Sequence, residues 1–192
     1  MNEPSKEPSK KDEEKTLLNA VVCFFMRHEN GTDQVLLAIK AAKIGKGKRL
    51  PHGGGIEPGE TAEQAAVREV FEETDGSVIV REATLEKIAV TDFDNLKSDG
   101  LEFICRVHIF VTWTWSGEFA TTADMIDPQW FDITKLPTDD LMLADKTWLA
   151  PVLQSNVGGK HQKFFVTAGY GPRQETLRGP VTITPVSDLP EM

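Results

Sequence analysis

The stretch that decides the fold runs from Gly54 to Glu73 and reads GGIEPGETAEQAAVREVFEE. It joins a glycine-rich turn to Glu60 and then to Arg68, Glu69, Glu72 and Glu73, on what the spacing predicts to be a single helix. Thr61 and Gln64 have capping-box spacing, Pro58-Gly59 closes the turn before them, and Asp75-Gly76 supplies the stop. At about 100° per residue the three glutamates Glu69, Glu72 and Glu73 fall within an arc of roughly 100°, and Val67, Val70 and Phe71 are expected on another side, facing the core. Carboxylates packed this closely repel one another and stabilise no core. A divalent cation accounts for them, because magnesium and manganese take oxygen ligands from a few carboxylates together with phosphate and water. The segment therefore reads as a metal site for work on a phosphate ester. Arg68 can hold a carboxylate by a bidentate pair, Glu60 can orient a ligand or Arg68, and the glycines let backbone approach a metal or phosphate.

Around this stretch, 192 residues with 40% hydrophobic content make one domain with a substantial core. The net charge of −9 argues against a sequence-independent grip on nucleic acid or anionic membrane, both of which need a basic surface. No run of about 18 apolar residues occurs, so no transmembrane helix is expected. Residues 1–16 mix both charge signs and lack the apolar middle of a signal peptide, so a disordered tail and a cytoplasmic address are expected. Cys23 and Cys105 lie in apolar, strand-like runs and are expected to be reduced core thiols.

Leu17 to Met26 is nearly all apolar, as a strand buried on both faces near the sheet centre should be. Asn30-Gly31 then leads into Val35 to Lys40 as a hairpin with a somewhat long loop, and the lysine- and glycine-rich segment 41–55 reads as loop. Strands are expected at Val78 to Val80, Glu86 to Phe93, Glu102 to Trp115 and Lys163 to Thr167. A second helix is expected at Ala144 to Gln154 despite Pro151. Residues 118–127 read as an acidic loop, and residues 179–192, rich in proline, as a loosely held tail. No internal repeat is present, and the sequence is silent on oligomeric state.

Gly54, Glu60, Arg68-Glu69-Val70 and Glu72-Glu73 match the Nudix box, G-x5-E-x7-R-E-U-x-E-E-x-G-U with U aliphatic, so the chain resembles the Nudix hydrolases. Asp75 stands where the pattern has glycine and Gly76 where it has an aliphatic residue; a local change in the turn with intact chemistry is expected. The resemblance, which extends more weakly over residues 17–178, implies an α+β fold, the Nudix α/β/α sandwich around a mixed β-sheet. It implies hydrolysis of a nucleoside diphosphate linked to another group, with Mg2+ or Mn2+ as cofactor and a small-molecule nucleotide as partner. Carried over residue by residue, Glu69, Glu72 and Glu73 are metal ligands, with Glu69 also a candidate base. Gly54 sits at the metal through its backbone, and Arg68 with Glu60 orients the ligands.

Features outside the box look like the MutT-related branch that hydrolyses oxidised purine nucleoside triphosphates. By that likeness Lys40 is a phosphate contact or else a solvated lysine, and Asp124, or Asp127, is a further acidic ligand from a later loop. The base-binding positions match less well. Leu50 stands where that branch has an asparagine, and Leu143, Ala144, Asp145 and Lys146 stand where it has a tryptophan, a proline and two aspartates. Asp145 then reads either as a hydrogen-bond partner for a purine edge or as a helix cap. Phe93 and Trp148 stack on a base or fill the core, and His52 contacts phosphate, serves as a base or is incidental. The leading expectation is a pyrophosphohydrolase releasing a nucleoside monophosphate and pyrophosphate. The alternatives are a hydrolase of nucleotide sugars or dinucleoside polyphosphates, one of isoprenoid diphosphates, and a catalytically silent nucleotide-binding module.

Overall fold

The computed structural model describes residues 15–191. In chain order it forms β1 (Thr16–Glu29), β2 (Thr32–Lys40), β3 (Arg49–Leu50), β4 (His52–Gly55), α1 (Ala62–Glu73), β5 (Val78–Ile79), β6 (Glu86–Leu96), β7 (Glu102–Thr112), β8 (Ser116–Gly117), β9 (Met125–Asp132), α2 (Asp145–Gln154), β10 (Lys163–Tyr170) and β11 (Thr182–Val186). β1 changes partners along its length. From Thr16 to Phe25 it runs parallel to β7, with β4 antiparallel on its other side, and from Met26 to Glu29 it pairs with β2. The sheet continues beyond β7 through β6, β10 and β11, while β2 carries β3 and β9.

Alternation along β1 sets the layers. Val21, Cys23 and Phe25 bury toward α1, whereas Phe24 and Met26 pack with Trp148, Leu149 and Val152 of α2. Each fully buried side chain of this size contributes on the order of 1.5–3 kcal/mol. The result is helix, mixed sheet, helix, the α+β sandwich expected from the sequence. Both cysteines are free thiols. No helix among the described residues is long and apolar enough to cross a membrane.

The structure departs from the sequence reading in several places. The β1–β2 loop is short, because both strands run further than their apolar stretches. Asn30 (φ 52°) and Gly31 (φ 77°) form the two-residue, left-handed turn that suits the strand twist. Segment 41–55 is not all loop: β3 pairs with β2 and β4 with β1, contacts that hydrophobic periodicity does not encode. Trp130 and Phe131 lie within β9, so the acidic loop ends at Met125. Residues 179–192 are not a loose tail through residue 191, since β11 extends the sheet edge against β10, with Pro185 tolerated on the edge strand. The tail expected at residues 1–16 lies outside the described residues except for its end. There Thr16 opens β1, and Lys15 bonds Asp94 and Glu102 at 2.6 and 2.7 Å.

Candidate functional site

α1 begins where the capping box places it. Gln64 N donates to Thr61 Oγ1 at 3.2 Å and Thr61 N to Gln64 Oε1 at 3.1 Å. The buried face is Ala62, Ala65, Ala66 and Val70, and it includes Glu73, which is only 5% exposed. Eleven residues at about 100° each return Glu73 to within about 20° of Ala62, so a carboxylate occupies the stripe on which small alanines meet the sheet. Phe71, expected in the core, lies about 180° from Ala62 and is 52% exposed.

The helix ends in a Schellman turn: Gly76 N donates to Phe71 O at 2.8 Å and Asp75 N to Glu72 O at 3.1 Å. Asp75, at φ 50°, takes the left-handed position in which a Cβ is unfavourable. The turn thus survives the departure from the box, at a cost. Asp75→Gly is expected to raise stability by about 1 kcal/mol, by removing that strain and a negative charge from the helix C-terminus. A melting experiment showing an unchanged or lower midpoint would count against the strain.

Arg68 organises the acidic cluster. Its Nε and Nη2 donate to the two oxygens of Glu60 at 2.8 and 2.9 Å, and Nη2 also reaches Gly55 O at 2.8 Å. Nη1 donates to Glu69 at 2.8 Å and to Glu72 at 3.2 Å. Glu60 also accepts from the Glu57 amide, and the guanidinium, chiefly, holds its carboxyl below the usual range. Glu69 lies against Gly54: an added Cβ there would sit 2.4–2.6 Å from the Glu69 carboxylate, so any larger residue would push that carboxylate out of place. Glu73 accepts from the Gly53 amide at 2.9 Å and from Lys40 Nζ. Burial raises its pKa, with Lys40 opposing. Thr122 Oγ1 closes the corner on Glu73 O at 2.9 Å.

Lys40 is therefore neither solvated nor free; its side chain is 14% exposed and committed to Glu73. Asp124 is exposed, but its carbonyl accepts from Ala41 N at 2.9 Å, which brings its loop beside that corner. Asp127 is drawn elsewhere, to Arg49 Nη2 at 2.7 Å and to Gln129. His52 faces the core at 2% exposure, edge-on to Phe25, and burial depresses it to about 4. A contact to phosphate through its ring is ruled out by that burial.

Among the described residues no three acidic, histidine or cysteine side chains converge as a ready-made cage. Arg68 holds Glu69 and Glu72, and Lys40 holds Glu73, so two side-chain cations carry the countercharge. The donor set still fits a hard divalent ion: Glu69, Glu72 and Glu73 offer carboxylate oxygens from one rigid helix, and Glu69 is cradled against a bare glycine.

A cavity of about 910 Å3 opens beside the loop that leaves Lys40. That loop is tied back by Gly47 N donating to Lys40 O at 2.8 Å. The walls are apolar at Ile44, Leu96, Phe103, Met142 and Leu143, and basic at Lys43, Lys46, Lys48, Lys97 and Arg173. Asn95 and Gln174 add two carboxamides, Ser98 a hydroxyl and Glu175 a carboxylate. Of the side chains expected from the sequence to meet a base, only Leu143 lines this cavity. Leu50 packs beneath the loop at Gly45, and Phe93 lies against Tyr170 with ring centroids 5.7 Å apart. Trp148, 2% exposed and edge-on to Phe24, is core and cannot stack on a ligand. Asn95 and Gln174 escape sequence reading because they lie 79 residues apart, with no motif linking them.

Asp145 does not cap α2. Ala144 holds the cap position, and the Asp145 carboxylate accepts from Trp148 Nε1 at 2.8 Å. Burial pushes this carboxyl up to about 7, against the Trp148 bond, which lowers it. Its folded pKa exceeds the unfolded one, so its stabilising contribution is full below about pH 4 and is lost as pH rises through about 7. Relative to Asp145→Asn, the parent protein is expected to lose stability across that window at up to about 1.4 kcal/mol per pH unit. Parallel melting curves for the two proteins from pH 4 to 8 would refute the shift.

The family model of the NUDIX domain matches residues 16–153, from β1 to the last turn of α2. The chain belongs to the Nudix family. Nudix hydrolases act on small nucleotide substrates and depend on divalent metal ions, and this chain is a Nudix hydrolase by descent and by its acid cluster. It is 39% identical over 121 residues to the oxidized purine nucleoside triphosphate hydrolase of Danio rerio, covering 63% of this chain and 72% of that protein. To the protein of the same name in Mus musculus it is 34% identical over 131 residues, covering 68% and 79%. Its fold is similar to that of the MutT protein from Bacillus halodurans, with a TM-score of 0.67 at 19% identity over 86% of this chain and 97% of the other. A NUDIX hydrolase from Nitrosomonas europaea gives 0.58 at 20% identity over 82% and 81%.

Proposed function

We propose that this Nudix hydrolase is a Mg2+-dependent pyrophosphohydrolase of purine nucleoside triphosphates, oxidised ones among them, releasing the monophosphate and pyrophosphate. The observation that carries the reading is one of adjacency. Lys40 bonds Glu73 of the acid cluster through its side chain and the base of the cavity loop through its carbonyl, so a nucleotide in the cavity directs its phosphates toward the glutamates. Relatives named for oxidised purine nucleoside triphosphates support the same substrate class.

Glu69, Glu72 and Glu73 are the residues that would hold the cation, with Gly54 offering backbone beside them and Asp124 reaching in from the loop after β8. When bound, a divalent cation neutralises polyphosphate oxygens that would otherwise repel this acidic helix. The chain's own groups do the rest. Glu60 locks the Arg68 guanidinium, Arg68 fixes the rotamers of Glu69 and Glu72, and Glu69 is placed to accept a proton from an attacking water. Attack at phosphorus breaks one phosphoanhydride P–O bond, and the departing phosphate oxygen takes the electron pair. The basic cavity walls balance the charge of a substrate that a chain of net charge −9 would otherwise repel.

A release assay with Mg2+ over ordinary and oxidised purine and pyrimidine triphosphates, nucleotide sugars and dinucleoside polyphosphates tests this reading. Turnover of purine triphosphates ahead of the other classes is expected. Preferential turnover of a nucleotide sugar or dinucleoside polyphosphate would overturn the substrate assignment, and tight binding without turnover would indicate a silent module.

A further inference from the structure

The family match ends at residue 153, yet one wall of the cavity is built from residues beyond it. After β10 the chain doubles back as a strap, with Gly171 N donating to Thr176 O at 3.0 Å and Arg178 N to Gly169 O at 2.8 Å. Arg178 fastens the strap by ion pairs to Glu102 at 2.7 Å and Asp94 at 3.0 Å. Within it Arg173 and Gln174 sit at φ 56° and 59°, two consecutive side-chain-bearing residues in the left-handed region. Such a conformation is unfavourable and persists only when the surroundings over-determine it. Here it sets Gln174 against Asn95 on the cavity wall.

The orientation of the Gln174 amide follows from a chain of bonds. The carbonyl of Phe93 can only accept, so the Asn95 group facing it at 2.7 Å is Nδ2. Asn95 is 3% exposed and locked in the wall, so its Oδ1 faces outward and must accept. It accepts from Gln174 Nε2 at 2.9 Å. Gln174 therefore carries its Oε1, an acceptor with no bonding partner among the described residues, on a wall that is otherwise apolar or cationic apart from Asn95, Ser98 and Glu175. Lysine and arginine offer only donors, and Leu96, Phe103, Met142 and Leu143 offer no strong donor or acceptor. Glu175 is exposed, anionic and paired with Arg173 at 3.3 Å, and Ser98 is exposed in the β6–β7 turn, which leaves Gln174 as the half-buried neutral acceptor for a base edge.

We infer that Gln174 is a specificity-determining residue that accepts a hydrogen bond from the exocyclic amine of the purine, with Asn95 as the positioning residue that holds its amide in that sense. The inference rests on the purine nucleotide reading above. Bases carrying that amine bind better than those lacking it.

The test compares kcat and KM of the full chain for GTP against ITP, which lacks the exocyclic amine, and for ATP against purine riboside triphosphate, which lacks the adenine amine. The parent is expected to favour the amine-bearing member of at least one pair about tenfold, through KM. Gln174→Met, similar in length but without the amide, should abolish that preference with kcat changed less than about threefold. Thr176→Ala serves as the control for strap packing, because Thr176 supports Gly171 and does not line the cavity; the preference should survive in it. Undiminished preference in Gln174→Met, no preference in the parent, or equal loss in Thr176→Ala would each overturn the assignment. Failure of the underlying substrate reading shows differently, as absence of turnover of every purine triphosphate by the parent protein.

Discussion

Glu69→Gln is expected to lower kcat about a thousandfold while leaving the melting midpoint within a few degrees of the parent. The side chain lies against Gly54 and gives one oxygen to Arg68, so the amide is close to isosteric and the cradle remains filled. Arg68 keeps both bonds to Glu60 and its bond to Gly55 O, so α1 stays anchored to the turn before it. The change thus removes a negative charge from the cluster without removing an architectural contact. Steady-state rates with saturating Mg2+, read beside a thermal melt, separate the two effects. Activity within tenfold of the parent would remove Glu69 from both the ligand and the base role.

Glu73→Gln should abolish activity to a similar degree and, unlike Glu69→Gln, should also destabilise. From the sequence alone Glu73 stands on a solvated charged face, where the substitution would spare the fold. The structure buries it at 5% exposure with Lys40, whose own side chain is 14% exposed, so removing one charge strands the other. Breaking such a pair costs about 3 kcal/mol, which for a domain of this size lowers the midpoint by roughly 6–12 °C. Adding Lys40→Met to Glu73→Gln should recover most of that loss, because a neutral pair of similar volume leaves no unpaired charge buried. The rate should stay low in the double variant. A single variant as stable as the parent would show that Lys40 does not depend on Glu73, and recovery of rate in the double variant would show that Glu73 is not needed for chemistry.

These two glutamates illustrate how far the sequence reaches. Box spacing places Glu69 and Glu73 on one helix with Arg68, and the cap at Thr61 and the stop at Asp75-Gly76 are where local chemistry puts them. Periodicity then misassigns the faces, because three alanines at positions 62, 65 and 66 carry too little hydrophobicity to outweigh Phe71 in a pattern count. In the folded chain small side chains are what allow α1 to lie close to β1 and β4, and Phe71 is left in solvent.

The substrate side divides in the same way. Trp148 and Phe93 read in one dimension either as stacking platforms or as core, because aromatic type does not reveal whether a ring faces a cavity or the interior. Asp145 is where the sequence suggests a polar contact, but its carboxylate is taken up by Trp148 Nε1 and does not line the cavity.

What the sequence by itself determined is the local chemistry: a capped helix, its carboxylates and arginine at fixed intervals, the glycine beside them and the layering around an apolar first strand. Each of these depends on residues close together in the chain, where steric and periodic rules act directly. Only the tertiary structure decided which cation faces Glu73, which residues wall the cavity, and that Asn95 and a strap beyond the family match meet there. The physical reason is distance along the chain, since partners 33 and 79 residues apart are brought together by sheet order and register, which no local pattern encodes.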